Sequence, residues 1–212
     1  MEITWYGLGC YRITERGMAT VVTDPYTAKA GLGSPKIKGD VVTISHLGNG
    51  KSRYDANSVN GYSQLLDGPG EFEIGGVFIT GVPSPRQSIE EKRNTIYVYN
   101  YNGVNVAHVG ELDKVPTQTQ IDKLGTVHVL LLPVGGNDVL NPSQASELIS
   151  MIEPSIVIPM MYEEKGLKYE YESVDKFVAE MGITEVNPEA SLKVTSSGLP
   201  EETQFVFLEP KR

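Results

Sequence analysis

The chain has 212 residues, enough for one large core, and its 40% hydrophobic and 21% charged content excludes disorder as the dominant state. Its 18 basic residues stand against 27 acidic ones, a net charge of -9, which disfavours a nucleic-acid backbone or an anionic membrane surface as partner. One cysteine, Cys10, excludes an internal disulfide; no basic-then-apolar leader opens the chain and no apolar run reaches about 18 residues, so a cytoplasmic location is expected.

In chain order, short β-prone runs come first, at residues 3–6, 10–13, 19–23, 40–44, 71–74 and 77–80, broken by Gly, Pro, Asn and Asp. A hairpin follows, because residues 95–101 and 104–108 flank Asn102-Gly103, the dipeptide that tolerates the positive φ angles of a tight turn. Residues 118–124 and 142–152 read as helices, the second with Asn141 as N-cap and Pro142 at its first position. Residues 127–132 and 156–158 read as apolar strands covered on both faces. A third helix, 173–181, places Val174, Phe177, Val178 and Met181 at a period near 3.6 and stops at Gly182; residues 192–195 and 204–208 close the chain as strands. Strands, then strand-helix-strand-helix, then strands describe a sandwich of sheets with helices outside. No linker divides it, so residues 1–212 are expected to form one domain. The longest polar connections, 27–38 and 48–60, are the places to expect function or mobility.

The three histidines, His46, His108 and His128, can be weighed singly. His46 ends the run DVVTISH and His108 the run VNVAH, each delivering an imidazole from a strand end into a glycine-containing turn. His128 sits inside an apolar run and reads as a structural, hydrogen-bonded residue. Asp24-Pro25 reads as a loop-fixing turn, and Cys10 as a small buried hydrophobe rather than a nucleophile. Gly135-Gly136 can expose backbone amides, with Asn137 and Asp138 either new polar groups at a pocket rim or simple turn formers. No nucleophile elbow and no phosphate-binding loop is present.

The segments ITWYGLGCYRI, TDPY, DVVTISH, DGPGEFEIGGVFITGV, NTIYVY, HVGEL, VLLLPVGG and IVIPMMY resemble, in this order, a branch of the metallo-β-lactamase-fold hydrolases that contains ascorbate-6-phosphate lactonases and predicted zinc-dependent hydrolases. The likeness runs from Ile3 to about Tyr162. It implies an αββα sandwich of the α/β (α+β) class, two mixed sheets with helices on the outer faces, and a pair of metal ions.

At the positions that carry the family's ligands the chain departs from the pattern. The H-x-H-x-D-H run reads His46-Leu47-Gly48-Asn49-Gly50-Lys51, so only its first histidine remains. The H-x-G-D turn reads His108-Val109-Gly110-Glu111, with a lengthened carboxylate, and the histidine of the strand-terminal I-P-M-H-Y is Met161. Leu8 replaces the histidine of the opening G-H-S-C-F. Zinc takes three or four N, O or S donors at about 2.0–2.3 Å, which a thioether or an ammonium does not replace. A tight dinuclear centre is therefore predicted to be absent, with His46, His108 and Glu111 the residual metal candidates.

Removing two dications from a pocket that keeps carboxylates leaves negative charge to be balanced. Lys51 either pairs there with Glu111 or a nearby aspartate, or is a solvated loop charge. The pocket candidates are thus His46, Lys51, His108, Glu111 and Asp138. The leading expectation is a non-catalytic binding or assembly component without cofactor. The alternative is a hydrolase of a small ester, lactone or phosphorylated substrate holding one zinc or other divalent ion. A small-molecule ligand is an expected partner; nucleic acid and membrane are not. Self-association stays open: Tyr97, Tyr99, Tyr101, Tyr169 and Tyr171 could supply interface area, or be an ordinary sheet face.

Overall fold

A computed structural model describes residues 1–46, 53–85 and 93–212. The strands are β1 (Glu2–Trp5), β2 (Tyr11–Thr14), β3 (Val21–Thr23), β4 (Ile37–Lys38), β5 (Val41–Thr43), β6 (Val59–Asn60), β7 (Gln64–Leu66), β8 (Gly70–Ile74), β9 (Val77–Pro85), β10 (Arg93–Tyr101) and β11 (Val104–His108). Then come α1 (Gln118–Asp122), β12 (Val129–Pro133), α2 (Pro142–Ile152), β13 (Ile156–Met160), α3 (Val174–Glu180), β14 (Leu192–Lys193) and β15 (Gln204–Phe205).

Two mixed sheets result, one ordered β14-β1-β2-β3-β5-β7 and one ordered β15-β13-β12-β11-β10-β9-β8. The apolar alternation of β10 explains how they meet. Tyr97, Tyr99 and Tyr101 point into the layer between the sheets, among Trp5, Ile13, Val21 and Leu131, while Ile96 and Val98 point the other way. Each tyrosine carries its hydroxyl to a partner: Tyr99 pairs with Thr43 Oγ1 at 2.7 Å, and Tyr101 donates to Ala19 O at 2.8 Å, tying one sheet to the other. These three tyrosines are therefore core, with at most 1% exposure, and supply no interface area.

The second layer lies on the opposite face of the larger sheet. Ile121 of α1, Ala145, Leu148 and Ile149 of α2 and Phe177 of α3 cover Ile96, Ala107, Leu130, Leu132 and Val157. Helix α2 begins as expected, since Asn141 accepts from the Gln144 amide, the Gln144 side chain answers at the Asn141 amide, and Pro142 opens the helix. The smaller sheet is overlain in part by the ribbon β4-β6, where Arg12 Nε donates to Lys38 O at 3.0 Å. The Asn102-Gly103 turn has φ of 50° and 85° and sets Tyr101 opposite Val104. Among the described residues no helix is long and apolar enough to cross a membrane.

Candidate functional site

The C-terminal ends of β3, β5, β11 and β13 meet at one edge of the sandwich. Parallel pairing brings Thr23 beside Thr43, so that Asp24 follows β3 within reach of Ser45. The Asp24 carboxylate accepts from the Ser45 amide at 2.7 Å and from the Ser45 hydroxyl at 2.6 Å. This is the loop-fixing role expected of Asp24, and the fold adds a second feature, for its Oδ2 lies 3.9 Å from His108 Nε2. Burial pushes the Asp24 carboxyl up to about 7, against the Ser45 hydrogen bonds that favour its charged form.

His108 ends β11 and is 1% exposed. Its Nε2 lies 2.9 Å from the Gly9 carbonyl, and because a carbonyl only accepts, Nε2 carries the hydrogen and Nδ1 the lone pair. That Nδ1 is buried without a partner among the described residues. Burial lowers the imidazole to about 4, so His108 is neutral at pH 7. Gly9 permits the contact: a Cβ there would stand 2.7 Å from Met161 Cε and 3.2 Å from His108 Nε2. Leu8, Asp24 and Met161 all have positive φ, at 51°, 39° and 52°. Each such conformation costs about 1–3 kcal/mol and persists only where the surroundings impose it.

Three residues past His108, Glu111 is equally buried. Its amide donates to Asn94 Oδ1 at 2.9 Å, while Asn94 Nδ2 donates to Val109 O, so one asparagine clamps the whole turn. The Glu111 carboxylate accepts from the Tyr54 hydroxyl at 2.6 Å and from Arg53 Nε at 3.2 Å. The Arg53 guanidinium continues outward, donating through Nη1 to the Tyr171 hydroxyl at 2.6 Å and lying 4.1 Å from the centre of the Tyr169 ring. Burial opposes its charge, but the facing Tyr54, Glu111 and Tyr171 outweigh that and hold Arg53 firmly cationic. Burial also pushes the Tyr171 hydroxyl up to about 12, with Arg53 pulling the other way.

Of the residues singled out from sequence, His108 and Glu111 share one turn. His46 is buried at the end of the β5 segment, bridged through its backbone to Asn94. Asp138 is exposed and acts electrostatically on Tyr171. Lys51, with Leu47, Gly48, Asn49 and Gly50, lies outside the described residues. Among the described residues a cation on Glu111 is Arg53, which sequence reasoning missed together with Tyr54, Asn94 and Ser45. The one available signal was Arg53-Tyr54 directly after the glycine-rich loop. Tyr169 and Tyr171 belong to this cluster, the first as the face under the guanidinium. His128 is structural as expected, its Nδ1 accepting from the Asn105 amide at 2.9 Å. Cys10 is fully buried, with its thiol pushed well up by burial and by Asp24, which fits an inert role.

A two-sheet sandwich with its polar cluster at the strand ends beside an H-x-G-E turn defines a protein of the metallo-β-lactamase fold. The family model described as "Beta-lactamase superfamily domain" matches residues 2–161, and the chain belongs to that family. It is similar to a candidate Zn-dependent hydrolase of the metallo-beta-lactamase superfamily from Thermotoga maritima, at 30% identity and a TM-score of 0.78 over 98% of this chain and 97% of that one. A UPF0173 protein of Pyrococcus furiosus is 28% identical over 178 residues, 76% of this chain and 83% of its own length. A UPF0173 metal-dependent hydrolase of Methanopyrus kandleri is 26% identical over 217 residues, 86% of this chain and 94% of its own length.

Proposed function

We propose that this chain is a metallo-β-lactamase-fold protein that has given up most of its metal ligation and serves as a non-catalytic binding or assembly component. The observation that carries the reading is Arg53. A guanidinium, fixed by Glu111, Tyr171 and the Tyr169 ring, supplies the positive charge that a buried carboxylate needs when no dication does.

The donor set supports the same reading. Among the described residues no three His, Cys, Asp or Glu side chains are grouped so as to hold a metal ion. Asp24 accepts two hydrogen bonds from Ser45, and of the two His108 nitrogens only Nδ1 keeps a lone pair. The segment 47–52 reads Leu-Gly-Asn-Gly-Lys-Ser, without His, Cys, Asp or Glu. These residues do not fit a metal pair. Activating water at neutral pH would need such an ion to bring the water pKa from about 15.7 to about 7.

A second reading, a mononuclear hydrolase of a small ester, lactone or phosphorylated substrate, rests on one specific observation. The buried lone pair of His108 Nδ1 has no partner among the described residues, in a chain whose relatives are named metal-dependent hydrolases. His46, His108 and Glu111 would then be the protein's donors, with Asp138 or water beside them. Metal analysis of protein purified without chelator separates the two. The first reading expects far less than one equivalent of zinc, manganese or iron and a melting temperature unchanged by chelator. Near-stoichiometric metal that His108→Ala removes would overturn it in favour of the second.

A further inference from the structure

The β1-β2 connection, the segment after Tyr26 and the C-terminal segment border a cavity of about 520 Å³ that shares no lining residue with the Arg53 cluster, although its Tyr26 is bridged to Tyr54. That lies in the range of about 300–1,000 Å³ typical of small-molecule sites. Three cations line it, Lys36, Lys211 and Arg212, and no Asp or Glu does. In a chain of net charge -9 this is a local reversal of sign. Tyr6, Tyr26 and Leu32, each under 10% exposed, form its apolar wall.

The cations are not used by the protein in the same way. Arg212 Nη2 meets Glu164 Oε2 at 3.1 Å, and Glu164 in turn accepts from the Leu8 amide at 3.1 Å, so the guanidinium is anchored and half-neutralised. Lys36 and Lys211 form no ion pair with a described residue, although the Lys211 backbone is held by its amide donating to Trp5 O at 2.8 Å. Two lysines without an ion pair among the described residues and one anchored guanidinium thus line a space with a partly apolar wall.

From this we infer that the groove binds a small organic phosphate monoester, its phosphate between Lys36 and Lys211 and its organic part against Tyr6, Tyr26 and Leu32. A phosphate monoester carries about -1.5 to -2 at pH 7, which matches two ammonium groups, whereas a monocarboxylate would leave one of them unpaired. Inorganic phosphate would satisfy the lysines but leave most of the volume and all of the apolar wall unused. The site uses none of the side chains of the His108–Glu111 cluster and does not depend on whether that cluster holds a metal.

Calorimetric titration of the full chain with phenyl phosphate, inorganic phosphate, benzoate and phenol tests this. Phenyl phosphate is expected to saturate one site and to bind at least about tenfold tighter than each of the other three. The Lys36→Gln/Lys211→Gln variant is expected to weaken it by about tenfold or more, with an unchanged melting temperature because both lysines are exposed. Affinity should also fall as salt rises. The inference is overturned if phenyl phosphate shows no saturable binding, if the double variant binds it as well as the parent does, or if phenol or inorganic phosphate matches it.

Discussion

The Arg53 cluster and the Lys36–Lys211 groove both bring cations together in an acidic protein, and they differ in what faces the charge. In the cluster, Arg53 is held by Glu111, Tyr171 and Tyr169, with 15% of its side chain exposed. In the groove, Lys36 and Lys211 are exposed and have no carboxylate partner among the described residues. A cation whose charge is met within the protein contributes to folding. One left open in a cavity costs little in water and is available to an anion from outside.

The largest test of that contrast is to remove the anion from the buried pair. Glu111→Leu leaves Arg53 in place without its carboxylate and is expected to cost about 3–5 kcal/mol in urea unfolding, most of it recovered when Arg53→Met is added. If the single variant unfolds at the parent's midpoint, Arg53 is not the charge partner that the structure describes.

Next in size is a pH effect at the same edge, where two buried groups pull in opposite directions. His108 stays neutral in the fold down to about 4, while in the unfolded chain it takes up a proton below 6.5. Its contribution to stability is therefore lost as pH falls from 6.5 to about 4. Asp24 stays protonated in the fold up to about 7, whereas unfolded it ionises above 3.8, so its contribution is lost as pH rises across that interval. The two slopes oppose one another in the parent. Asp24→Asn should leave only the loss on acidification, up to about 3 kcal/mol, and His108→Gln only the loss on raising the pH, both read from denaturant midpoints between pH 4 and 7. Parallel curves for both variants and the parent would remove the pair from this account.

The smallest effect sharpens how Arg53 is held. Tyr171→Phe deletes one charge-assisted hydrogen bond and keeps the ring, at an expected cost of about 1–2 kcal/mol in the same unfolding assay. A neutral result would assign the anchoring of Arg53 to Glu111 and Tyr169 alone.

Local chemistry made part of this fold legible in the sequence. Asn141-Pro142 starts α2 where expected and Asn102-Gly103 turns the hairpin, because each of these signals acts within a few residues. The strands β4, β6 and β7 left no readable pattern. They are two or three residues long and exist through pairing with neighbours that the chain brings up from elsewhere. In the site, His108 and Glu111 were legible as an H-x-G-E turn after a strand, whereas Asn94, which clamps that turn, lies on the preceding strand and has no local mark.

What the sequence by itself determined is the inventory: the sandwich class from the run of strands and helices, and the residues His46, His108 and Glu111, with Met161 and Leu8 at positions where the resembling family has histidines. What only the tertiary structure decided is who meets whom. Arg53 reaches Glu111, Asp24 comes up to His108, and Lys36 and Lys211 line one cavity because the fold closes distances that no local spacing encodes. Buried charge is balanced by whichever partner the fold delivers, and among the described residues one such partner is a guanidinium from the segment that follows the glycine-rich loop.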